Sequence, residues 1–184
     1  LHDVVIDEAS VRCRTVYVNA SNGSKIAVTM GDILYTHVYI ALLDLDQKIS
    51  QPLSNAVTTL SIGEYIDVKM GEQFNPDADA YIDMIYKKTA SLIEATAYCA
   101  AVLAGKEAQA YSLYGKNLGL SFQIIDDILD IISDEKSLGK PALSDYKEGK
   151  TTLPYIYLYD ALDEVSRQRL QKAHGSQLDA DEDS

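Results

Sequence analysis

Apolar residues recur along this chain at steps of three and four, and no stretch alternates apolar and polar strictly enough to read as a strand. From Ser24 to about Leu43, the spacing of Ile26, Ala27, Met30, Ile33, Leu34, Val38 and Ala41 predicts a helix. Asp44 and Asp46 punctuate its end. A second helix is expected over 48–70, with Ile49, Leu53, Val57, Leu60 and Ile62 inward and Pro52 in its first turns. Residues 71–77 read as a turn. A long helix over 77–103 stops at Gly105, and another runs over 107–133. A Gly- and charge-containing loop over 134–150 leads to shorter helices over 151–159 and 162–173. At the start, 1–9 reads as the end of a helix and 10–22, with Ser10, Asn19, Ser21 and Asn22, as a loop. The pattern is that of an all-α protein without repeats or an interdomain linker.

Inside the 107–133 helix, Phe122-Gln-Ile-Ile-Asp126-Asp127-Ile-Leu-Asp130 sets three carboxylates among apolar residues. Helical geometry puts Asp126 and Asp130 one turn apart on one face, with Asp127 flanking them. Like charges so close repel, and a cation relieves them. All-oxygen ligands suit Mg²⁺, which usually completes its shell with phosphate oxygens. Ile124, Ile125, Ile128, Leu129, Ile131 and Ile132 surround the acids, so the acids border a buried surface or line a cavity within it. A solvated face would alternate more evenly with Lys and Glu. The chemistry indicated is a diphosphate held through magnesium on a helix wall. Near the start, Asp3 and Asp7 again stand four apart, with Arg12 and Arg14 after them. Two such acidic pairs can face each other across a helix bundle.

Together these residues resemble the trans-type polyprenyl diphosphate synthases of the isoprenoid synthase superfamily, which carry two Asp-Asp-x-x-Asp motifs on opposed helices. Phe122 to Asp130 fits the second motif fully, including Gln123 before the acids. Asp3 to Asp7 falls on the first, but Val4 stands where its second aspartate is expected. The family's Arg-Arg-Gly reads Arg12-Cys13-Arg14 here. Arg12 keeps the arginine that contacts the allylic diphosphate; Cys13 replaces the one that contacts isopentenyl diphosphate. Lys88-Thr89 matches the Lys-Thr pair, and Gly31-Asp32-Ile33-Leu34 resembles the family's Gly-Asp-Phe/Tyr-Leu. Gly139-Lys140 and Gly149-Lys150 match the lysines of the loop after the second motif. The resemblance covers about 1–174 as one partial domain, leaving 175–184 as an acidic polar tail.

The resemblance implies an isoprenoid synthase helical bundle around a central cavity. It also implies further helices ahead of the first motif, carrying a Gly-Lys-x-x-Arg element that this chain lacks. The chain is therefore expected to be a piece, or the ordered part, of a longer protein. The implied activity is a Mg²⁺-dependent prenyltransfer that condenses isopentenyl diphosphate with an allylic diphosphate. Asp3, Asp7, Asp126, Asp127 and Asp130 would hold metal. Lys88, Thr89, Gln123 and Lys140 are the catalytic candidates, and Arg12 and Lys150 join them in binding substrate. A homodimer is implied as well. Val4 and Cys13 favour a second reading, a weak or inactive member serving as a regulatory or scaffold subunit. The loop lysines and the full second motif speak against a terpene cyclase on the same fold.

Composition fits these expectations. The 184 residues suffice for one domain with a sizeable core. The net charge of −12 argues against nucleic acid, which wants a basic face. A diphosphate needs only a local positive field, which Lys88, Lys140, Lys150 and Arg12 with magnesium would supply. Cys13 and Cys99 make no disulfide scaffold, which points to a reducing, cytoplasmic setting. No apolar run reads as long enough to span a bilayer. His2, His37 and His174 have no ligand spacing and read as core or surface residues. Tyr35 and Tyr39, four apart, read as core or interface residues, with the floor of a product tunnel as the alternative.

Overall fold

The computed structural model describes residues 2–6, 11–12, 15–132 and 143–175. Ten α-helices and one π-helical turn appear among them. The helices are α1 (Asp3–Ile6), α2 (Val18–Asn22), α3 (Ser24–Leu43), α4 (Gln47–Met70), α5 (Ala78–Ile85), α6 (Ser91–Leu103), α7 (Ala108–Ile132), α8 (Ser144–Lys147), α9 (Leu153–Ala161) and α10 (Glu164–Ala173). The π-turn, Tyr86–Ala90, joins α5 to α6 without a break. Two strands, β1 (Val11–Arg12) and β2 (Thr15–Val16), pair antiparallel with Val11 opposite Val16. The described part of 10–22 thus holds short elements where its polar residues suggest a loop. Two-residue strands and a single helical turn are too short to leave a periodicity.

Side chains set the helix starts. The Asp46 carboxylate accepts from Lys48 N at 2.8 Å, and Asp77 accepts from Asp79 N and Ala80 N at 2.9 and 3.0 Å. Asp163 caps α10 from Ser166 N at 2.8 Å. Between α6 and α7, Lys106 N donates to Ala101 O and Gly105 N to Val102 O, a Schellman stop with Gly105 at φ +64°. With α4 beginning at Gln47, Pro52 lies in its second turn, within the first turns expected of it.

The core sits where α4, α5, α7 and α9 meet. Tyr81, Met84, Ile85 and Ile156 are buried there, with Ile66, Met70, Leu120, Ile124 and Leu153 packed around them. The antiparallel α6–α7 pair approaches closely through glycine. A Cβ on Gly115 would lie 2.8 Å from Ala97 Cβ, and one on Gly119 would lie 2.8 Å from Ala90 Cβ. The buried stripe of α7 is therefore Ser112, Gly115, Gly119, Asp127 and Asp130. Ile125, Ile128, Leu129 and Ile132 are exposed. This corrects the expected surroundings of the acids in part: small residues let α7 turn its polar stripe inward, Ile124 packs on the core, and Ile125, Ile128, Leu129 and Ile132 stay on the open side.

One helix also departs from the sequence reading. Among the described residues α3 is long and apolar enough to cross a membrane, by length and composition alone. Its Ile33, Leu34 and Ile40 are exposed. Tyr35 stacks on the His2 ring at 5.6 Å, whereas Tyr39 is exposed. His2 lies over Gly31, and with its proton on Nε2 it donates to Val28 O at 3.1 Å and Asp32 Oδ1 at 3.0 Å. The Gly31-Asp32 pair thus anchors the start of the chain on α3.

Candidate active site

Three elements bring the candidate residues together. α4 contributes Glu64 and Asp67, the π-turn contributes Lys88 and Thr89, and α7 contributes Gln123 and the acidic triplet. A π-turn holds one residue more than an α-turn and so rotates the helix beyond it. Here the neighbours Lys88 and Thr89 point to different partners. Lys88 Nζ lies 2.7 Å from Asp67 Oδ2 and 3.0 Å from Glu64 Oε2, on α4. Thr89 Oγ1 donates to Gln123 Oε1 at 2.8 Å, on α7. Gly63 permits the approach, since a Cβ there would overlap the Lys87–Lys88 backbone. On its outer side the turn is fixed by Glu94, which accepts from Tyr86 OH at 2.9 Å and Ser112 Oγ at 2.8 Å.

The hydrogen bonds continue inward. Gln123 Nε2 donates to Asp127 Oδ1 at 2.9 Å, and the fully buried Tyr81 donates from its hydroxyl to Asp127 Oδ2 at 2.5 Å. Burial raises the Asp127 pKa; the bonds from Tyr81 and Gln123 oppose that shift, while the nearby Asp126 and Asp67 charges add to it. Burial also raises the Tyr81 phenol, with Asp127 adding to the effect. For Lys88, burial works against the charge, but Asp67 and Glu64 outweigh it and the pKa lies above the usual lysine range.

The triplet is not uniform. Asp126 is half-buried, Asp127 is 5 % exposed and Asp130 is wholly buried. Gln123, Asp127 and Asp130 form the inward run, and Asp126 lies at its more open edge. Asp130 Oδ2 accepts from Asp145 N at 3.2 Å, which ties α7 to α8. Tyr155 lies close enough that burial and the Asp130 charge push its phenol up to about 12. Lys150 is half-buried, bonded through its amide to Asp145 O at 2.8 Å and through its ammonium to Glu148 at 2.7 Å.

Asp7, Cys13, Arg14 and Lys140 lie outside the described residues. Asp3 belongs to α1 and Arg12 to β1, and only their backbone is described. No cluster of three His, Cys, Asp or Glu that could hold a metal occurs among the described residues. What the described wall offers is hard carboxylate oxygen, which suits a magnesium ion that draws its remaining ligands from phosphate and water. Sequence reasoning missed Glu64, Asp67 and Tyr81. Glu64 and Asp67 carry a faint signal, two acids three apart on one helix face behind a glycine. Tyr81 carries none.

The whole chain, residues 1–184, matches the family model described as polyprenyl synthetase. It is 36% identical over 191 residues to a short chain isoprenyl diphosphate synthase of Methanocaldococcus jannaschii, covering 100% of this chain and 58% of that protein. It is 37% identical to the octaprenyl diphosphate synthase of Escherichia coli, over 85% of this chain and 50% of that one. Among solved structures, the octaprenyl pyrophosphate synthase of Helicobacter pylori matches with a TM-score of 0.90 and 45% identity, over 96% of this chain and 58% of that chain. The chain thus spans little more than half the length of these relatives. With a match over its full length and relatives well above 30% identity, the chain belongs to the polyprenyl synthetase family, with that family's all-α fold.

Proposed function

We propose that this chain is the greater part of the catalytic bundle of a prenyltransferase that joins isopentenyl diphosphate to an allylic diphosphate. The observation that carries the reading is the convergence of Lys88, Thr89 and Gln123 beside the acidic triplet, from three elements, within a family whose members make polyprenyl diphosphates. In this reading residues 1–174 form one domain and 175–184 an acidic tail.

Asp126 and Asp130 of α7, with Asp127 beside them, and Asp3 and Asp7 would hold magnesium, which would supply Lewis-acid pull on the departing diphosphate. Arg12, Lys88, Lys140 and Lys150 bind the anionic oxygens. The allylic carbon–oxygen bond breaks and the diphosphate leaves with the electron pair. The double bond of isopentenyl diphosphate attacks the allylic carbon, and loss of a proton restores an alkene. Thr89 and Gln123 present fixed dipoles to the positive charge as it develops. The apolar walls keep water from it.

The exposed apolar residues of α3 support a homodimer, and the buried thiol of Cys99, donating to Ile49 O at 3.6 Å, is compatible with a reducing cytoplasm. The test is incubation of the complete polypeptide with labelled isopentenyl diphosphate, farnesyl diphosphate and Mg²⁺. Labelled prenyl diphosphate product that disappears in Asp126→Ala supports the reading. A folded, complete protein that yields no elongated product sinks it.

A further inference from the structure

The fully buried Tyr81 has no place in the chemistry above, yet its hydroxyl starts a hydrogen-bond chain that ends at Thr89. The links run from α5 to α7 to the π-turn, across sequence separations of 46, 4 and 34 residues. An ionised carboxylate only accepts hydrogen bonds. Asp127 therefore forces Gln123 to turn its amide nitrogen inward, as the contact at 2.9 Å shows. The Gln123 carbonyl then faces Thr89, and Thr89 must spend its one proton on it at 2.8 Å. Its oxygen is left with lone pairs only.

We propose that Tyr81 is a positioning residue that anchors the Asp127 carboxylate, thereby fixes the Gln123 amide, and so leaves the Thr89 oxygen as a pure acceptor toward the reacting carbon. The inference rests on the prenyltransfer reading and deepens it. Both Asp127 oxygens are already engaged, one by Tyr81 and one by Gln123, so this acid works inward as the hinge of the chain. An acceptor oxygen held in place stabilises a developing cation without reorganising during the reaction. A hydroxyl free to rotate offers the cation its proton part of the time. Tyr81 is too deeply buried to meet substrate itself, so its effect has to travel through Asp127.

Tyr81→Phe in the complete polypeptide tests this, because it deletes one hydroxyl and keeps the ring in the core. The expected result is a fall in kcat of roughly 10- to 100-fold, the range for residues that orient a reacting group. KM for the allylic diphosphate, and Mg²⁺-dependent binding of its uncleavable thiolodiphosphate analogue, should stay within about twofold, since neither depends on the direction of the Thr89 proton. Thr89→Ala should lower kcat similarly, and Tyr81→Phe/Thr89→Ala should be no worse than Thr89→Ala alone. A merely structural tyrosine would give additive losses in the double variant. A second readout needs no turnover: NMR exchange of the Gln123 side-chain amide protons, assigned by their loss in Gln123→Glu. Exchange should quicken about tenfold or more in Tyr81→Phe, as expected when a buried anchor is released. Unchanged exchange, additive losses or wild-type kcat in Tyr81→Phe each overturns the proposal. A complete wild-type protein without elongation activity overturns the prenyltransfer reading instead, and the amide exchange still decides whether Tyr81 anchors the chain.

Discussion

Lys88 and Asp67 form an ion pair of 2.7 Å across the contact between the π-turn and α4, and Glu64 adds a second acid 3.0 Å from the same ammonium. The Lys88, Asp67 and Glu64 side chains are 22%, 10% and 14% exposed, so water screens the group only partly. Asp67→Ala leaves Lys88 with one partner and should cost about 1–3 kcal/mol, less than orphaning a buried charge outright. Urea unfolding measures it, and a loss under about 0.5 kcal/mol would mean that the pair behaves as a surface one. The raised Lys88 pKa sets the sign with pH. The stabilisation is complete below the ordinary lysine value of 10.5 and is lost as pH rises through the higher folded value.

Gly63 and Gly115 should separate stability from activity. A Cβ at Gly63 would run into the backbone of Lys87 and Lys88, and one at Gly115 would meet the Ile93 carbonyl at 2.8 Å. Each Ala substitution should cost about 1–3 kcal/mol by overpacking. Only Gly63→Ala shifts the backbone that carries Lys88 and Thr89. Assayed under conditions where both variants are folded, Gly63→Ala should lose turnover and Gly115→Ala should retain it. Equal turnover would show that the π-turn absorbs the strain without moving its side chains.

These contacts mark the limit of what the chain discloses as sequence. Helical periodicity sufficed to mark α3, α4 and α7, because each keeps its apolar spacing over many turns. It said nothing of the π-turn, since a single extra residue hardly disturbs the apolar pattern of 77–103. It also misjudged the roll of α7. The apolar residues around Asp126, Asp127 and Asp130 suggested a buried surround, whereas Gly115 and Gly119 let α6 pack against the small, polar stripe. The motif resemblance singled out Lys88, Thr89 and Gln123 one by one. Asp67 and Glu64, which pair with Lys88, and Tyr81, which donates to Asp127, stand 21 to 46 residues from the groups they bind, beyond any local pattern. The resemblance did not name them.

His174 packs edge-on against Phe74 at 5.6 Å and Tyr146 at 6.0 Å, and burial holds its pKa below the ordinary 6.5 against a smaller pull from the Gly71 backbone. The unfolded chain therefore binds a proton here that the folded chain refuses. Stability should fall as pH drops through about 6.5 and level off below the lower folded pKa. In His174→Phe, which keeps an aromatic ring against Phe74 and Tyr146, this component should vanish. Melting temperatures recorded from pH 7.5 down to pH 5 on both proteins check it, and parallel curves would exclude His174 as the source.

Asp126 and Asp127 are neighbours with opposite situations, and their substitutions should diverge accordingly. Among the described residues Asp126 has no hydrogen-bond or ion-pair partner, and its charge works against that of Asp127. Asp126→Asn removes this repulsion and breaks no bond to a described residue. It should leave stability within about 0.5 kcal/mol of wild type or raise it, as expected for a group kept for function. Yet it should weaken Mg²⁺-dependent binding of an allylic diphosphate by roughly 10- to 100-fold, the scale for loss of a metal-site residue. Asp127→Ala strips the buried Tyr81 hydroxyl of its acceptor and the Gln123 amide of its anchor. Two orphaned donors of about 1–3 kcal/mol each make it the more destabilising change by about 2 kcal/mol or more. Denaturant midpoints and calorimetric titration of the two complete variants decide the matter. If Asp126→Asn destabilised as much as Asp127→Ala, the outer acid would be part of the scaffold, and the division between a ligand-facing and an inward-facing carboxylate would not hold.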